Sequence, residues 1–171
     1  MCIRDRFQAL LLRLKNLGLK VALDTSGAAL CAGLVAGPWL VKPNTEELAD
    51  ALGSPAVSVA GQAEAARQLR AQGVEHVVVS HGAEGVNWFS AAPSLQALPP
   101  KVHVVSTVGA GDSLLAGMLH GLLSAQPFEQ TLRTATAIAA MAVTQIGFGI
   151  SDRVQLARLE QGVRVHPLLE Q

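Results

Sequence analysis

The segment "KVALDTSGAALCAGLVAGPWLVKPNTEELADAL" (residues 20–52) decides the fold, because it alternates short apolar runs with helical patterns. The runs Lys20–Asp24 and Pro38–Asn44 are predicted strands, and Thr25–Leu34 is a predicted helix between them. A further helix is predicted over Asn44–Leu52. Neighbouring strands joined through a helix are typical of parallel pairing, since a parallel crossover needs a connection of helix length.

The same alternation continues along the rest of the chain. We therefore expect an α/β fold, with a Rossmann-like, mostly parallel sheet and helices on both of its faces. The segment Ala91–Lys101 is predicted to be a surface loop. The further predicted elements are helices at Phe7–Leu17 (stopped by Gly18), Gln62–Gly73, Gly111–Ser124, Phe128–Gln145 and Ser151–Gln161, and strands at Glu75–Ser80, at its hairpin partner Val86–Ser90, and ending at Val104 and Val105.

Composition narrows the classes of protein. The 171 residues fit one ordinary domain, and 13 basic residues balance 13 acidic ones, so the charge gives no support for nucleic-acid binding. The sequence shows neither an apolar stretch of membrane-spanning length nor a secretory signal, so we expect a cytoplasmic protein without a membrane partner. Cys2 and Cys31 lack the spacing of a zinc site, and we expect a stray terminal thiol and a small core residue, respectively.

The turn between a predicted strand and a helix at residues 104–112 is the first candidate site. Gly109, Ala110 and Gly111 would let a ligand approach the backbone, and the unpaired N–H groups of a helix start bind anions. Asp112 beside such a phosphate cradle could accept the proton of an attacking hydroxyl. An aspartate in a first helical turn is also common for capping and dipole reasons, so spacing alone leaves both interpretations open.

The turn "VKPNTEEL" (residues 41–48) is the second candidate. Asn44 and Glu47 would share one helix face and could hold magnesium through oxygen atoms, while Lys42 could meet a phosphate. The structural alternatives are a capping box formed by Asn44 and Glu47, and a solvated surface charge at Lys42.

The turn "SHGAEG" (Ser80–Gly85) is the third candidate. Its glycines either let a nucleotide lie against the backbone or simply close a hairpin, and the residues favour neither alternative.

Taken together, these stretches resemble the PfkB sugar kinases, which have the ribokinase-like fold. "STVGAGDSLLAGMLHGLL" (106–123) is similar to the C-terminal signature of that family, and "NTEE" (44–47) resembles its magnesium and phosphate motif. The segments "LDTSG", "LVKPNTEEL", "VSHGAEG" and "VVSTVGAGDS" also occur in the order in which that family has them.

The resemblance implies a role for each matched position. Asp112 would be the catalytic base, and Gly109, Ala110 and Gly111 would form the anion hole for the transferring phosphoryl group. Asn44 and Glu47 would organise Mg²⁺ and phosphates. The remaining implied contacts, to phosphate or to ATP, are Lys42, Gly111 and Asp112, together with Ser80, His81, Gly82, Ala83, Glu84 and Gly85.

The activity implied by the resemblance is ATP-dependent phosphorylation of a sugar phosphate, fructose 1-phosphate to fructose 1,6-bisphosphate. The alternatives are tagatose 6-phosphate as substrate, and a fragment that binds MgATP without catalysis. Because family members are longer, residues 1–171 are expected to be a single partial domain, the C-terminal, nucleotide-binding portion without the N-terminal part and lid, and a full-length protein is expected to be able to form a homodimer. Residues 1–6 do not continue the helical pattern that follows, and we expect them to lie outside the native structure.

Overall fold

A computed structural model describes residues 3–92, 94–147 and 149–168. The chain divides into two compact units, the first formed by the described residues of 1–80 and 88–94, and the second by residues 81–87 and the described residues of 95–168. In chain order the elements are α1 (Ile3–Asn16), β1 (Ala22–Leu23), α2 (Gly27–Leu34), β2 (Leu40–Val41), α3 (Thr45–Leu52), α4 (Val59–Ala71), β3 (His76–Ser80), a 3-10 turn (Gly82–Glu84), β4 (Val86–Phe89), β5 (Leu95–Leu98), α5 (Ala110–Leu123), α6 (Phe128–Ala142), α7 (Arg153–Gly162) and β6 (Arg164–Pro167).

Parallel strands form the centre of the first unit. Strand β1 pairs with β2 and β2 pairs with β3, with Leu23 opposite Val41 and Val41 opposite Val77. Val41 and Val77 are fully buried, because strands of a parallel sheet covered by helices are apolar on both faces. In sheet order β3 is followed by β4, whose Trp88 and Phe89 belong to this unit. The predicted α/β class with parallel strands is confirmed.

The second unit combines an antiparallel strand pair with closely packed helices. Strand β5 pairs antiparallel with β6, so the sheet as a whole is mixed. A Cβ atom built on Gly117 of α5 would lie 2.6 Å from the Cα of Ala135 in α6. One built on Gly121 would lie 2.5 Å from Oγ1 of Thr131. The two helices therefore approach each other so closely that these positions of α5 have room only for glycine.

Two predicted elements are wrong. The loop predicted over Ala91–Lys101 contains strand β5, because Leu95–Leu98 finds a partner in β6, a segment with no strand prediction. No strand ends at Val104 and Val105 in the described part of the chain. Instead, the backbone N–H of Val105 donates to Val143 O over 2.7 Å, and both valine side chains are exposed. A β-branched run favours extended backbone, but it does not supply a strand partner.

Two further expectations concern single segments. Cys31, expected in the core, is exposed on α2, where its Sγ lies 3.9 Å from Ala51 O. Helix α1 begins at Ile3, within the segment expected to lie outside the native structure, and Met1 and Cys2 lie outside the described residues. Among the helices that the structure describes, none combines the length and the apolar character that crossing a membrane requires.

A buried histidine connects two tryptophans in the first unit. Nε1 of Trp88 donates to Nδ1 of His76 over 3.3 Å, and Trp39 packs edge-to-face on the same imidazole with ring centroids 5.1 Å apart. Accepting at Nδ1 requires the neutral ring with its proton on Nε2. Burial lowers the pKa of His76, helped by Lys20 and Arg70 and opposed by Glu75.

The lowered pKa of His76 makes stability depend on pH. In the unfolded chain this histidine binds a proton near its ordinary pKa of 6.5, whereas in the folded chain it binds one only at lower pH. The free energy of unfolding is therefore highest, as far as this group is concerned, above pH 6.5, and it falls as the pH drops below that value. Each such histidine contributes a slope of at most about 1.4 kcal/mol per pH unit. We expect His76→Gln, which keeps an acceptor for Trp88, to reduce the slope in urea titrations between pH 7.5 and 5. An unchanged slope would contradict this assignment.

Candidate functional site

The carboxyl ends of the parallel strands gather predicted site residues in the first unit. Lys42 directly follows β2, and Ser80 ends β3. An isolated parallel bridge joins Asn44 to Ser80, and the Ser80 N–H donates to Pro43 O over 3.1 Å. The structure therefore brings the second predicted turn and the start of the third together at one edge of the sheet, where ligands of α/β proteins collect.

Asn44 and Glu47 form the capping box that was the structural alternative. Oδ1 of Asn44 accepts the Glu47 N–H over 2.8 Å, and Oε2 of Glu47 accepts the Asn44 N–H over 2.9 Å. These bonds begin helix α3. The second carboxylate oxygen of Glu47 accepts no hydrogen bond from the residues that the structure describes, so capping leaves one oxygen of this side chain for another ligand.

Lys42 is buried, with only 5% of its surface exposed, and its Nζ lies 3.1 Å from Oδ2 of Asp24. The alternative of a solvated surface lysine is therefore wrong. Asp24 follows β1 as Lys42 follows β2, so the parallel pairing places the two charges side by side. Asp24 was absent from the predicted site, although its position after a predicted strand was the signal that could have found it.

The turn between β3 and β4 closes on itself within the second unit. The His81 N–H donates to Gly85 O over 2.9 Å, and the Glu84 N–H donates to His81 O over 3.1 Å. Gly82 and Gly85 both have positive φ angles, 58° and 109°. The structural alternative of a tight turn is thus present, and its backbone surface stays open to the nucleotide interpretation.

The imidazole of His81 carries the buried polar atom of this turn that lacks a hydrogen bond. Its Nε2 is buried and has no hydrogen-bond partner among the described residues. Burial lowers the pKa of His81, and the nearby Glu84 opposes that shift. A neutral ring nitrogen is therefore held beside the glycines of the turn.

Helix α5 begins at the first candidate site, the turn at residues 104–112. Gly109 precedes it in the left-handed region, with a φ of 80°, and Asp112 lies in its first turn. The N–H of Ser113 donates to Gly109 O over 2.9 Å and that of Ala110 to Thr107 O over 3.4 Å, whereas the N–H groups of Gly111 and Asp112 have no acceptor among the described residues. This start combines N–H donors with the positive end of the helix dipole, which suits an anion.

The Asp112 carboxylate bears on the capping interpretation of this helix start. The side chain is exposed, and it makes no capping hydrogen bond and no ion pair within the described residues. Asp152, the N-cap residue of α7, by contrast accepts the Val154 N–H over 2.8 Å. The described structure therefore shows no capping bond for Asp112, and a favourable position at the helix dipole and a chemical role both stay open.

Asp112 also lines a cavity of about 660 Å³ within the second unit. His120 and Arg153 contribute to the same wall, together with apolar residues such as Ile138. No sequence pattern had pointed to Arg153, since it begins α7 after a long connection. In residues 3–92, 94–147 and 149–168, no group of three or more His, Cys, Asp or Glu side chains could hold a metal by itself.

Comparison with known proteins decides the family. The model of the family described as "pfkB family carbohydrate kinase" matches residues 5–154. The chain belongs to the pfkB family of carbohydrate kinases. The resemblance inferred from the sequence motifs is therefore confirmed.

Individual relatives are kinases of this family. The chain is 50% identical over 147 residues to 1-phosphofructokinase of Escherichia coli strain K12. The aligned segment covers 86% of the chain and 47% of that protein. The chain thus spans about half the length of such relatives.

Solved structures of sugar kinases have the same fold. Phosphofructokinase-2 from Escherichia coli in complex with substrates and products matches with a TM-score of 0.85 and 27% identity, over 94% of the chain and 52% of that structure. Arabidopsis thaliana ribokinase complexed with ribose and ATP matches with a TM-score of 0.76 and 26% identity, over 92% of the chain and 53% of that structure. The predicted ribokinase-like fold is confirmed by these matches.

Proposed function

We propose that this chain is the nucleotide-binding and phosphoryl-transferring part of a kinase that converts fructose 1-phosphate to fructose 1,6-bisphosphate with ATP. The observation that carries the proposal is the exposed Asp112 carboxylate in the first turn of α5, which makes no hydrogen bond with the described residues and lies near Gly109 in the left-handed region. Support for this substrate comes from the relative at 50% identity, which is a 1-phosphofructokinase.

Asp112 would act as the catalytic base. Its carboxylate takes the proton of the acceptor hydroxyl while the hydroxyl oxygen forms a bond to the γ-phosphorus of ATP. The bond from that phosphorus to the β,γ-bridging oxygen breaks, and ADP leaves. Negative charge on the transferring group is stabilised by the N–H groups at the start of α5, for which Gly109 and Gly111 leave the backbone accessible.

The turn from Ser80 to Gly85 would bind the nucleotide. Its glycines expose backbone to a flat ligand, and the buried Nε2 of His81 is the ring nitrogen that such a ligand could satisfy. Lys42 would contact phosphate. Because Asp24 already holds its ammonium group at 3.1 Å, Lys42 is fixed in place before a ligand arrives.

The donor set around α3 fits a magnesium ion that arrives with ATP. Mg²⁺ keeps several waters and takes one or two carboxylates plus substrate phosphates. Glu47 would hold it through the oxygen outside the capping box, and Asn44 would orient that side chain. When bound, the ion would neutralise charge on the phosphates.

Glu47→Gln separates the capping role of this residue from its metal role. The amide oxygen of glutamine can still accept the Asn44 N–H, so the free energy of unfolding should change by less than about 0.5 kcal/mol. The Mg²⁺ dependence of nucleotide binding should weaken, since the carboxylate charge is lost. Glu46→Gln removes a charge from the same helical turn and is the matched control. If both variants responded alike to Mg²⁺, the metal role of Glu47 would be wrong.

Calorimetric titration of MgATP into the chain tests the nucleotide role itself. We expect saturable binding of one MgATP, with weaker binding when EDTA removes the metal. A chain that is folded by circular dichroism but binds no MgATP would overturn the proposed function.

A further inference from the structure

A second cavity, of about 300 Å³, lies in the first unit at the amino ends of the parallel strands. Val21, Trp39 and Glu75, which directly precede β1, β2 and β3, contribute to its wall. Lys42, which follows β2, and Ser80, the last residue of β3, lie at the opposite, carboxyl ends of these strands. The cavity is therefore separate from the residues assigned to ATP and magnesium in this unit.

The ammonium group of Lys15 is held in place at the wall of this cavity. Its Nζ donates to Gly37 O over 2.9 Å and to Ala36 O over 3.3 Å. Gly37 makes this position accessible, since a Cβ there would lie 2.9 Å from the same Nζ. An ammonium group has three N–H donors, and these bonds use two. The third has no acceptor in the part of the chain that the structure describes.

The lining also contains an aromatic ring and two further charged side chains. The indole of Trp39 donates through Nε1 to Oε2 of Glu75 over 3.1 Å, and Nζ of Lys20 lies 4.6 Å from the centre of its ring. The bond to Trp39 partly satisfies the Glu75 carboxylate. The lining thus contains two lysines and one carboxylate, so its formal charge is positive.

We propose that this cavity binds a small organic anion, a single-ring molecule bearing one phosphate or carboxylate group. The third donor of Lys15 and the ammonium group of Lys20 recognise the anionic group. The indole of Trp39 and the apolar side chains Leu11, Leu19 and Val21 cover the ring. The volume of about 300 Å³ suits a ligand of that size.

The two tryptophans of this chain provide a readout that locates the ligand. In ¹H–¹⁵N spectra, phenyl phosphate should shift the indole signal of Trp39 more than the indole signal of the buried Trp88. The Trp39 signal is assigned as the one that disappears in Trp39→Phe. We expect a dissociation constant of about 1 mM, as befits a ligand of about a dozen non-hydrogen atoms. Benzoate should shift the same signal. Benzyl alcohol, which has the ring without the charge, should bind at least about tenfold more weakly.

Three variants test the charges. Lys15→Gln should weaken phenyl phosphate about tenfold, whereas Arg13→Gln, which removes an exposed charge from the same helical turn outside the cavity, should leave binding unchanged. Glu75→Gln keeps an acceptor for Trp39 and should strengthen binding about threefold, so the idea stays testable if Lys15→Gln does not fold. Binding of benzyl alcohol as strong as that of phenyl phosphate, or a Trp39 signal that none of these probes shifts, would overturn the proposal.

Discussion

Replacing Asp112 with asparagine should lower the rate of phosphoryl transfer about a thousandfold, since positioned bases contribute rate factors of about a hundred to ten thousand. The variant is nearly isosteric, and the native carboxylate makes no hydrogen bond with the described residues, so no contact is lost on substitution. MgATP affinity should stay within about threefold of the parent, because the other residues assigned to the nucleotide are unchanged.

The experiment needs both readouts on the same protein. Transfer is measured as bisphosphate formed in a chain extended to the length of its relatives, and MgATP binding is measured by calorimetry. Asp152→Asn is the matched control, because that aspartate caps α7 with a bond of 2.8 Å to the Val154 N–H and has no chemical role in this account. Retained turnover in the Asp112→Asn protein would show that another group takes the proton.

The second large effect is expected at Gly85. Its φ of 109° is strained for any other residue, and a Cβ atom there would overlap the carbonyl oxygen of Ala97 in β5. Gly85→Ala must therefore displace backbone as well as adopt an unfavourable conformation. We expect a loss of about 3 kcal/mol or more in the free energy of unfolding.

Gly82 is the matched control in the same turn. It too has a positive φ, of 58°, but nothing lies within 4 Å of a Cβ built there. Gly82→Ala should cost only the conformational strain, about 1 kcal/mol. Urea denaturation of both variants checks the difference. Equal losses would mean that crowding against Ala97 plays no part.

Local sequence patterns predicted the strands and hydrogen bonds that depend on residues close together in the chain. The apolar runs of β1, β2 and β3 are strands because residues such as Leu40 and Val77 are completely buried. The spacing of Asn44 and Glu47 indicated either a magnesium site or a capping box, and the structure shows the capping box. Hydrogen bonds three residues apart can be predicted from sequence because the chain itself fixes their geometry.

Features that depend on a distant partner could not be predicted. Strand β5 exists because β6, about seventy residues later in the chain, supplies its hydrogen bonds. The ion pair of Lys42 with Asp24 joins residues that follow two neighbouring parallel strands, so the predicted pairing could place both charges at one sheet edge but could not show that their side chains meet. For Asp112 the sequence left capping and catalysis open, and the free carboxylate was visible only in the structure.

Phosphoryl transfer from ATP to fructose 1-phosphate can be followed directly by ³¹P NMR. The chain is extended at its amino end with the corresponding half of the Escherichia coli 1-phosphofructokinase, to which it is 50% identical. The extended protein is mixed with MgATP and fructose 1-phosphate, and tagatose 6-phosphate is run in parallel. We expect one ADP and one fructose 1,6-bisphosphate for each ATP consumed, with the reaction nearly absent in the Asp112→Asn protein. A folded protein that binds MgATP and forms no bisphosphate would contradict it.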